Sequence, residues 1–95
     1  MVYRKGELSK GTVDRQWPHQ VALRADFVAG RNYPIIHEFC LPLSLCRRGH
    51  FFYRDGIGFS VYCFADRAHA EQFRERFSGE FIDPRDRPKW PGSKR

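Results

Sequence analysis

The hydrophobic and polar positions along the chain follow two periods, one typical of strands and one typical of helices. Residues 19–25 alternate polar and apolar side chains with a period of two, which predicts a half-buried strand. A stripe with helical spacing follows, and it consists of Ile35, Ile36, Phe39, Cys40 and Leu43. Asn32 marks the start of this predicted helix, and Pro42 marks its end.

The second half of the pattern begins with a predicted hairpin. Two runs rich in aromatic and β-branched residues flank Asp55-Gly56, a dipeptide that favours a two-residue hairpin turn. Asp66 then caps a predicted helix that ends at Gly79. The apolar stripe of this helix consists of Ala70, Phe73 and Phe77. A short strand over 80–82 completes the series.

The predicted order of elements within residues 17–82 is therefore β-α-β-β-α-β. In the split βαβ arrangement this order forms one antiparallel sheet, with strand order 4-1-3-2, and both helices cover a single face. We expect an α+β, ferredoxin-like βαββαβ sandwich. Residues 1–16 show no sustained period and residues 83–95 contain three prolines. They are expected to form a basic N-terminal arm and a basic, Pro-rich C-terminal tail.

One stretch of the predicted domain resembles the second half of an RNA recognition motif. The resemblance covers roughly 54–82 and is carried by a Gly- and aromatic-rich strand, an acidic cap, an alanine-spaced helix and a Gly turn. These features are Gly56-Ile57-Gly58-Phe59-Ser60-Val61-Tyr62-Cys63-Phe64, then Asp66 with Ala68 and Ala70, then Ser78-Gly79. The resemblance implies a small ferredoxin-like domain that stacks unpaired bases on its sheet. The family's stacking pair corresponds to Ile57 and Phe59.

The hairpin register sorts the aromatic residues onto two faces. A two-residue turn pairs Arg54 with Ile57, Phe52 with Phe59 and His50 with Val61. Gly58 and Ser60 fit a buried layer poorly, so the face that carries them is expected to be open. The residues expected under the helices are Phe52, Ile57, Phe59, Val61 and Cys63. The residues expected on the open face are Phe51, Tyr53, Tyr62 and Phe64.

An open face rich in aromatic residues is expected to pack against another group, and the sequence leaves three alternatives for that group. Val13, Trp17 or Trp90 folds back over it, a second copy of the chain packs against it, or single-stranded nucleic acid stacks on it. The first two alternatives need only apolar complementarity. The third would use the aromatic rings as stacking platforms.

The charge of the chain lies mainly at its ends. The net charge is +6, and residues 1–16 carry four basic and two acidic side chains, whereas residues 83–95 carry five and two. The body between them carries eight arginines and seven acids, so it is nearly neutral. The candidate contacts to phosphate or to an acidic partner are Arg47 and Arg48 in the loop before the hairpin, and Arg85, Arg87 and Lys89 in the tail beside Trp90.

Metal binding and catalysis are not favoured. His37, Cys40, Cys46 and His50 have a spacing that zinc could use, but Cys40 lies on the apolar stripe and no Cys-x-x-Cys pair is present. The acids fall at turn and cap positions, and no glycine loop precedes a helix to cradle phosphate. We therefore expect no metal, no cofactor and no enzymatic activity. Three cysteines, no apolar export signal and no membrane-length segment favour a soluble, cytoplasmic protein.

The sequence as a whole predicts a small binding module. The first hypothesis is association with nucleic acid, with single strands favoured, through the basic arms and the open aromatic face. The alternative is a protein-interaction or regulatory subunit that docks a partner or a second copy through the same face.

Overall fold

The computed structural model describes residues 9–87 of the chain. Its elements are α1 (Lys10–Gln16), β1 (His19–Arg24), α2 (Ala25–Val28), α3 (Asn32–Cys40), β2 (His50–Arg54), β3 (Ile57–Phe64), α4 (Arg67–Phe77), β4 (Glu80–Ile82) and a 3₁₀ turn (Pro84–Asp86). Within this range, no helix has both the length and the apolar character needed to cross a bilayer. Lys89 and Trp90 lie outside the described residues.

The four strands form one antiparallel sheet in the order β2-β3-β1-β4. This α+β architecture agrees with the sequence, and so does the hairpin register, since Phe52 lies opposite Phe59 and His50 opposite Val61. Asp55 and Gly56 both have positive φ angles, 55° and 80°, as a two-residue hairpin turn requires. The two edge strands are β2 and β4.

Helices α3 and α4 cover one face of the sheet. Asp66 caps α4 by accepting a hydrogen bond from the backbone nitrogen of Ala68 at 2.8 Å, as expected. Phe73 of α4 lies at the centre of the cluster, with its ring centroid 4.9 Å from that of Tyr62 and 5.2 Å from that of Phe64. The buried members of this cluster are Val21, Leu23, Val28, Ile36, Cys40, Tyr62, Phe64, Ala70, Phe73 and Phe77.

The opposite face of the sheet is covered in part by α1. Ser9 caps this helix by accepting from the backbone nitrogen of Thr12 at 3.1 Å, and Val13 is completely buried against the sheet. Trp17 packs against the same cluster. The buried members of this second cluster are Val13, Ala22, Cys46, Phe52, Val61, Cys63 and Ile82. The domain therefore has three layers, with the sheet in the middle.

The expected assignment of the two faces was wrong. Tyr62 and Phe64, expected on an open face, are buried under α3 and α4, whereas the face of Phe52, Val61 and Cys63 is the one covered by α1. The register fixes which residues share a face, but β3 carries apolar side chains on both. Pairing with β1 decides between the faces, because Val21 lies opposite Tyr62.

The open face was assigned wrongly because Gly58 and Ser60 were taken as signs of exposure. Both residues lie on the helix-covered face, but outside its core. Both are only partly buried, at the end of the face that the helices leave uncovered. The ring of Phe51 covers Gly58 so closely that an added Cβ would lie 2.7 Å from its Cζ. Small residues here make room for a neighbouring aromatic ring.

The expected N-terminal arm also needs correction, because residues 10–16 form a helix that belongs to the folded body. Of the alternatives for covering a sheet face, folding back of Val13 and Trp17 is the one observed, although on the Phe52 face. A seven-residue helix with one buried residue has too few apolar positions to produce a recognisable period.

We expect Phe64→Ala to lower the free energy of unfolding by about 3–5 kcal/mol, because the side chain is fully buried against Phe73. Phe51→Ala, at a ring that is 47% exposed, should cost about 1 kcal/mol or less. Urea denaturation of both variants measures the difference. Equal losses would contradict the placement of these two residues.

Candidate functional site

A groove of about 690 Å³ runs beside the start of edge strand β2. The loop that enters β2 forms one wall, and α3 together with the first turn of α1 approaches from the other sides. The lining residues are Lys10, His37, Leu45, Cys46, Arg47, Arg48, Gly49, His50, Phe51, Ser60, Val61 and Tyr62. These residues come from four separate segments, so only the folded chain brings them together.

The groove is lined by cations and by no carboxylate of residues 9–87. Lys10, Arg47 and Arg48 supply three positive side chains, and His37 is exposed beside them. Within the described range, Lys10 and Arg47 form no ion pair, whereas Arg24, Arg54 and Arg67 each pair with an acid elsewhere on the surface. The local potential is therefore positive, although the body of the domain is nearly neutral.

Gly49 holds the basic loop against the sheet. A Cβ at this position would overlap the carbonyl oxygen of Val61, so the backbone can lie this close to β3 only with glycine. The backbone nitrogen of Cys46 also donates to the carbonyl of Cys63 at 2.8 Å. The arginines between these two contacts are thereby kept beside β2.

Phe51 and Tyr53 are the predicted aromatic residues that remain exposed. Their side chains are 47% and 50% exposed, and their ring centroids lie 5.2 Å apart in an edge-to-face arrangement. They stay accessible because β2 is the outermost strand, whereas α4 contacts the inner strands β1 and β3. Phe51 continues directly into the basic groove.

Tyr62 lines the groove, although only 9% of its surface is exposed. The ring of His37 meets it edge-on at a centroid distance of 6.3 Å, and Tyr33 contacts His37 in turn at 4.2 Å. Burial raises the pKa of Tyr62 to about 12, so its hydroxyl remains a neutral donor at physiological pH. Phe64, another of the predicted aromatic site residues, has no exposed surface and lies fully in the core.

Two of the basic residues expected in the tail, Arg85 and Arg87, have acidic partners in the structure. Arg85 forms an exposed ion pair with Asp83 at 3.0 Å, at the β4 side of the sheet. Arg87 is largely buried, and both of its terminal nitrogens donate to Asp14 at 3.2 and 3.1 Å. Arg87 therefore has a structural position, which corrects its assignment as a contact to phosphate.

Asp14 is the centre of a buried polar cluster that the sequence analysis did not identify. Its Oδ1 accepts from Gln20 Nε2 at 2.9 Å and lies 3.0 Å from His50 Nε2, in addition to its bonds from Arg87. Gln20 is 1% exposed, and its Oε1 accepts from Arg87 at 3.0 Å. Burial alone would raise the pKa of Asp14, but the hydrogen bonds from Arg87 and Gln20 lower it overall.

His50 is a second buried member of this cluster, with its side chain 2% exposed. Its Nε2 contacts Asp14, whereas its Nδ1 is buried and has no hydrogen-bond partner among residues 9–87. Burial and the charge of Arg87 lower the pKa of His50, against the opposing effect of Asp14. The neutral imidazole that donates from Nε2 satisfies this geometry.

The zinc spacing noted in the sequence does not come together as a site. Among residues 9–87, no three His, Cys, Asp or Glu side chains are placed to hold a metal ion. Cys40, the last residue of α3, packs in the core, where burial raises its pKa to about 11. His50 contacts Asp14 instead.

Ser44, His69 and Asp66 form a second polar cluster that sequence spacing did not reveal. Ser44 donates its backbone N–H to His69 Nδ1 at 3.0 Å, and its Oγ accepts from the backbone nitrogen of Asp66 at 3.0 Å. His69 Nε2 lies 3.9 Å from Asp66 Oδ2. The serine oxygen and the histidine nitrogen are thus occupied in tying the loop after α3 to the start of α4.

The remaining part of the α1-covered face is closed by an ion pair. Arg54 donates to Glu80 at 2.8 and 3.3 Å and lies 4.8 Å from the ring centroid of Phe59. Phe59 itself is stacked on Phe52 at 5.1 Å. The expectation that Ile57 and Phe59 lie under the long helices was wrong, because both are on this second face.

The sequence analysis did not identify three features of the site, namely the roles of Lys10, His37 and Asp14. Lys10 was assigned to the basic N-terminal arm, and His37 was considered as a metal ligand and not as part of a binding surface. Asp14 is a single acid among basic residues, and nothing local shows that Gln20 and Arg87 meet it. The one available signal is Gln20 itself, because a polar side chain on a strand that is buried on both faces needs a hydrogen-bond partner.

No protein-family model matches the chain, and neither the comparison with curated proteins nor the comparison with solved structures finds a match.

We expect Asp14→Ala to lower the free energy of unfolding by about 2–4 kcal/mol, because it leaves Arg87 and Gln20 without their shared acceptor. The exposed pair of Asp83 offers a matched control, and Asp83→Ala should cost much less. Thermal denaturation near neutral pH measures both. The Asp14 contribution should persist above its ordinary pKa of 3.8 and disappear at lower pH. A similar loss in both variants would show that the buried cluster adds nothing.

Proposed function

We propose that the protein is a ferredoxin-like binding module that associates with single-stranded nucleic acid through the β2 groove. The observation that carries the proposal is the lining of this groove, which combines Lys10, Arg47 and Arg48 with the exposed ring of Phe51 and contains no carboxylate of the described residues.

The charge of the groove supports a phosphate-bearing ligand. Arginine and lysine side chains that lack a carboxylate partner are available to neutralise phosphates, and such contacts supply most of the affinity in nonspecific nucleic-acid binding. Lys10 and Arg47 meet this condition within residues 9–87. The two residues come from α1 and from the loop before β2, so a ligand that spans both would cross the groove.

The aromatic pair supports a single strand over a duplex. Phe51 and Tyr53 follow each other along one side of β2, and their rings are accessible to flat ligands. Unpaired bases stack on such rings with a free energy of about 1–3 kcal/mol per base, whereas paired bases cannot reach them.

This proposed surface differs from the one that the resemblance to an RNA recognition motif implied. Helix α1 and the Arg54–Glu80 pair occupy the face that carries Ile57 and Phe59. The relationship to that family remains a proposal, and in this chain the binding surface would move from the central strands to the β2 edge.

We further propose that the module is not an enzyme and that it works in the cytoplasm. Its Ser44–His69–Asp66 cluster is engaged in hydrogen bonds that fix a loop. Its three cysteines are free thiols, as a reducing compartment maintains them.

Fluorescence anisotropy with a labelled single strand of about 12 nucleotides tests the proposal. Arg47→Ala and Lys10→Ala should each weaken binding about five- to tenfold and reduce the salt slope by about 0.7. Arg67→Ala removes the same charge from the outer surface of α4 and should have little effect. Phe51→Ala should weaken binding without changing the salt slope, because stacking releases no counterions.

Truncation after Arg87 distinguishes binding by the groove from binding by the C-terminal tail. It removes Lys89, Lys94 and Arg95 but keeps Arg87 in its buried position. If the groove binds, the truncated protein retains most of its affinity and its sensitivity to Arg47→Ala. No affinity of the full chain for single-stranded RNA or DNA at low salt would refute the proposal.

The protein-docking alternative has one observation in its favour, which is that Phe51 and Tyr53 lie on an edge strand. Sedimentation of the full chain distinguishes it. A dimer that dissociates in Phe51→Ala, with no nucleic-acid affinity, would favour docking of a second copy.

A further inference from the structure

The Asp14 cluster lies next to the proposed groove and shares two elements with it. Helix α1 contributes Asp14 to the cluster and Lys10 to the groove, and β2 contributes His50 to the cluster and Phe51 to the groove. The bonds to Asp14, together with the bond from Gln20 Nε2 to the carbonyl of Trp17 at 3.2 Å, attach α1 to the sheet within residues 9–87. A change at His50 therefore acts on the position of Lys10.

His50 is the member of this cluster whose ordinary pKa, 6.5, lies near physiological pH. Three charged groups face it, and these are Asp14 on α1, Arg87 after the 3₁₀ turn and Arg48 in the loop before β2. From β1 the neutral amide of Gln20 approaches, and the thiols of Cys46 and Cys63 belong to the adjoining apolar cluster. Arginine stays charged throughout, and Asp14 stays ionised well below neutral pH because its pKa is lowered.

The geometry opposes a second proton on His50. The neutral ring already uses its Nε2 hydrogen toward Asp14 at 3.0 Å, so an added proton would go to Nδ1. That nitrogen is buried, and no acceptor of residues 9–87 lies within hydrogen-bonding distance of it. The new charge would also lie near the guanidinium groups of Arg87 and Arg48.

We propose that His50 makes the β2 groove sensitive to pH, because its protonation detaches α1 from the sheet and withdraws Lys10 from the groove. This inference rests on the proposed function for its effect on binding, but the movement of α1 can be measured without a ligand.

The sign of the effect follows from linkage. In the docked state, in which α1 packs against the sheet, burial and the charge of Arg87 hold the pKa of His50 below its ordinary value of 6.5. In the detached state, in which α1 has left the sheet, the His50 ring is exposed. The detached state then binds protons more readily, so docking loses stability as the pH falls below about 6.5. Affinity for nucleic acid should therefore fall on acidification.

Trp17 provides a direct measure of docking. The chain has two tryptophans, so Trp90→Phe leaves Trp17 as the single reporter at the end of α1. We expect its emission to shift to the red as the pH falls from about 7.5 to about 5. In the same background, His50→Gln should show no shift, because glutamine keeps an Nε2 donor for Asp14 but does not titrate. His19→Gln, at the start of β1 and outside the groove lining, is the matched control and should keep the shift.

Anisotropy with the same labelled single strand completes the test. Affinity should fall at least about fivefold over this pH range in the unsubstituted protein and in His19→Gln, but not in His50→Gln. Circular dichroism first establishes that His50→Gln is folded. If it is not, NMR titration of the His50 ring in the unsubstituted protein replaces it, and a midpoint at or above 6.5 contradicts the proposal.

The remaining outcomes separate the two proposals. A Trp17 shift that is absent in the unsubstituted protein, or equally present in His50→Gln, overturns the pH response. A shift with unchanged affinity overturns the link between α1 and the groove. If no oligonucleotide binds at any pH, the proposed function fails, whereas the Trp17 data still decide whether His50 controls docking.

Discussion

The burial of the Asp14 carboxylate is the constraint on which the arrangement of the other elements depends. A charge with only a quarter of its side chain exposed must be compensated, and Gln20, His50 and Arg87 together provide the donors. These donors come from β1, from β2 and from the segment after β4. One side chain of a short helix thus fixes two strands and the end of the described chain relative to each other.

The position of α1 determines which surfaces remain for binding. Both faces of the sheet are covered, one by α1 and the other by α3 and α4. The Arg54–Glu80 pair covers Phe59, on the part of the first face that α1 does not reach. The exposed aromatic residues Phe51 and Tyr53 are then confined to the β2 edge. The same helix places Lys10 at the groove, so the element that closes the sheet also completes the positive surface.

Much of the fold could be predicted from local chemistry. The Asp55-Gly56 turn and the Asp66 cap depend on neighbouring residues alone, so the hairpin register and the start of α4 followed from the sequence. The faces of the hairpin could not be assigned in this way, because Tyr62 and Val61 are both suited to burial and pairing across β1 decides between them. Arg47, Arg48 and Phe51 were found as candidate residues because they are close in sequence, whereas Asp14 and Arg87 meet only in the folded chain.

Photo-cross-linking of a single-stranded oligonucleotide, followed by tryptic digestion and mass spectrometry, tests the central claim that binding occurs at the β2 edge. Cleavage after Arg48 and Arg54 separates peptide 49–54, which contains Phe51 and Tyr53, from peptide 55–67, which contains Phe59. The structure predicts cross-links in peptide 49–54 and in the neighbouring basic loop. Because Ser60, Val61 and Tyr62 of peptide 55–67 also line the groove, fragment spectra must locate any cross-link within that peptide. Cross-links concentrated at Ile57 and Phe59 would contradict the claim, because they would place the ligand on the face that α1 and the Arg54–Glu80 pair cover.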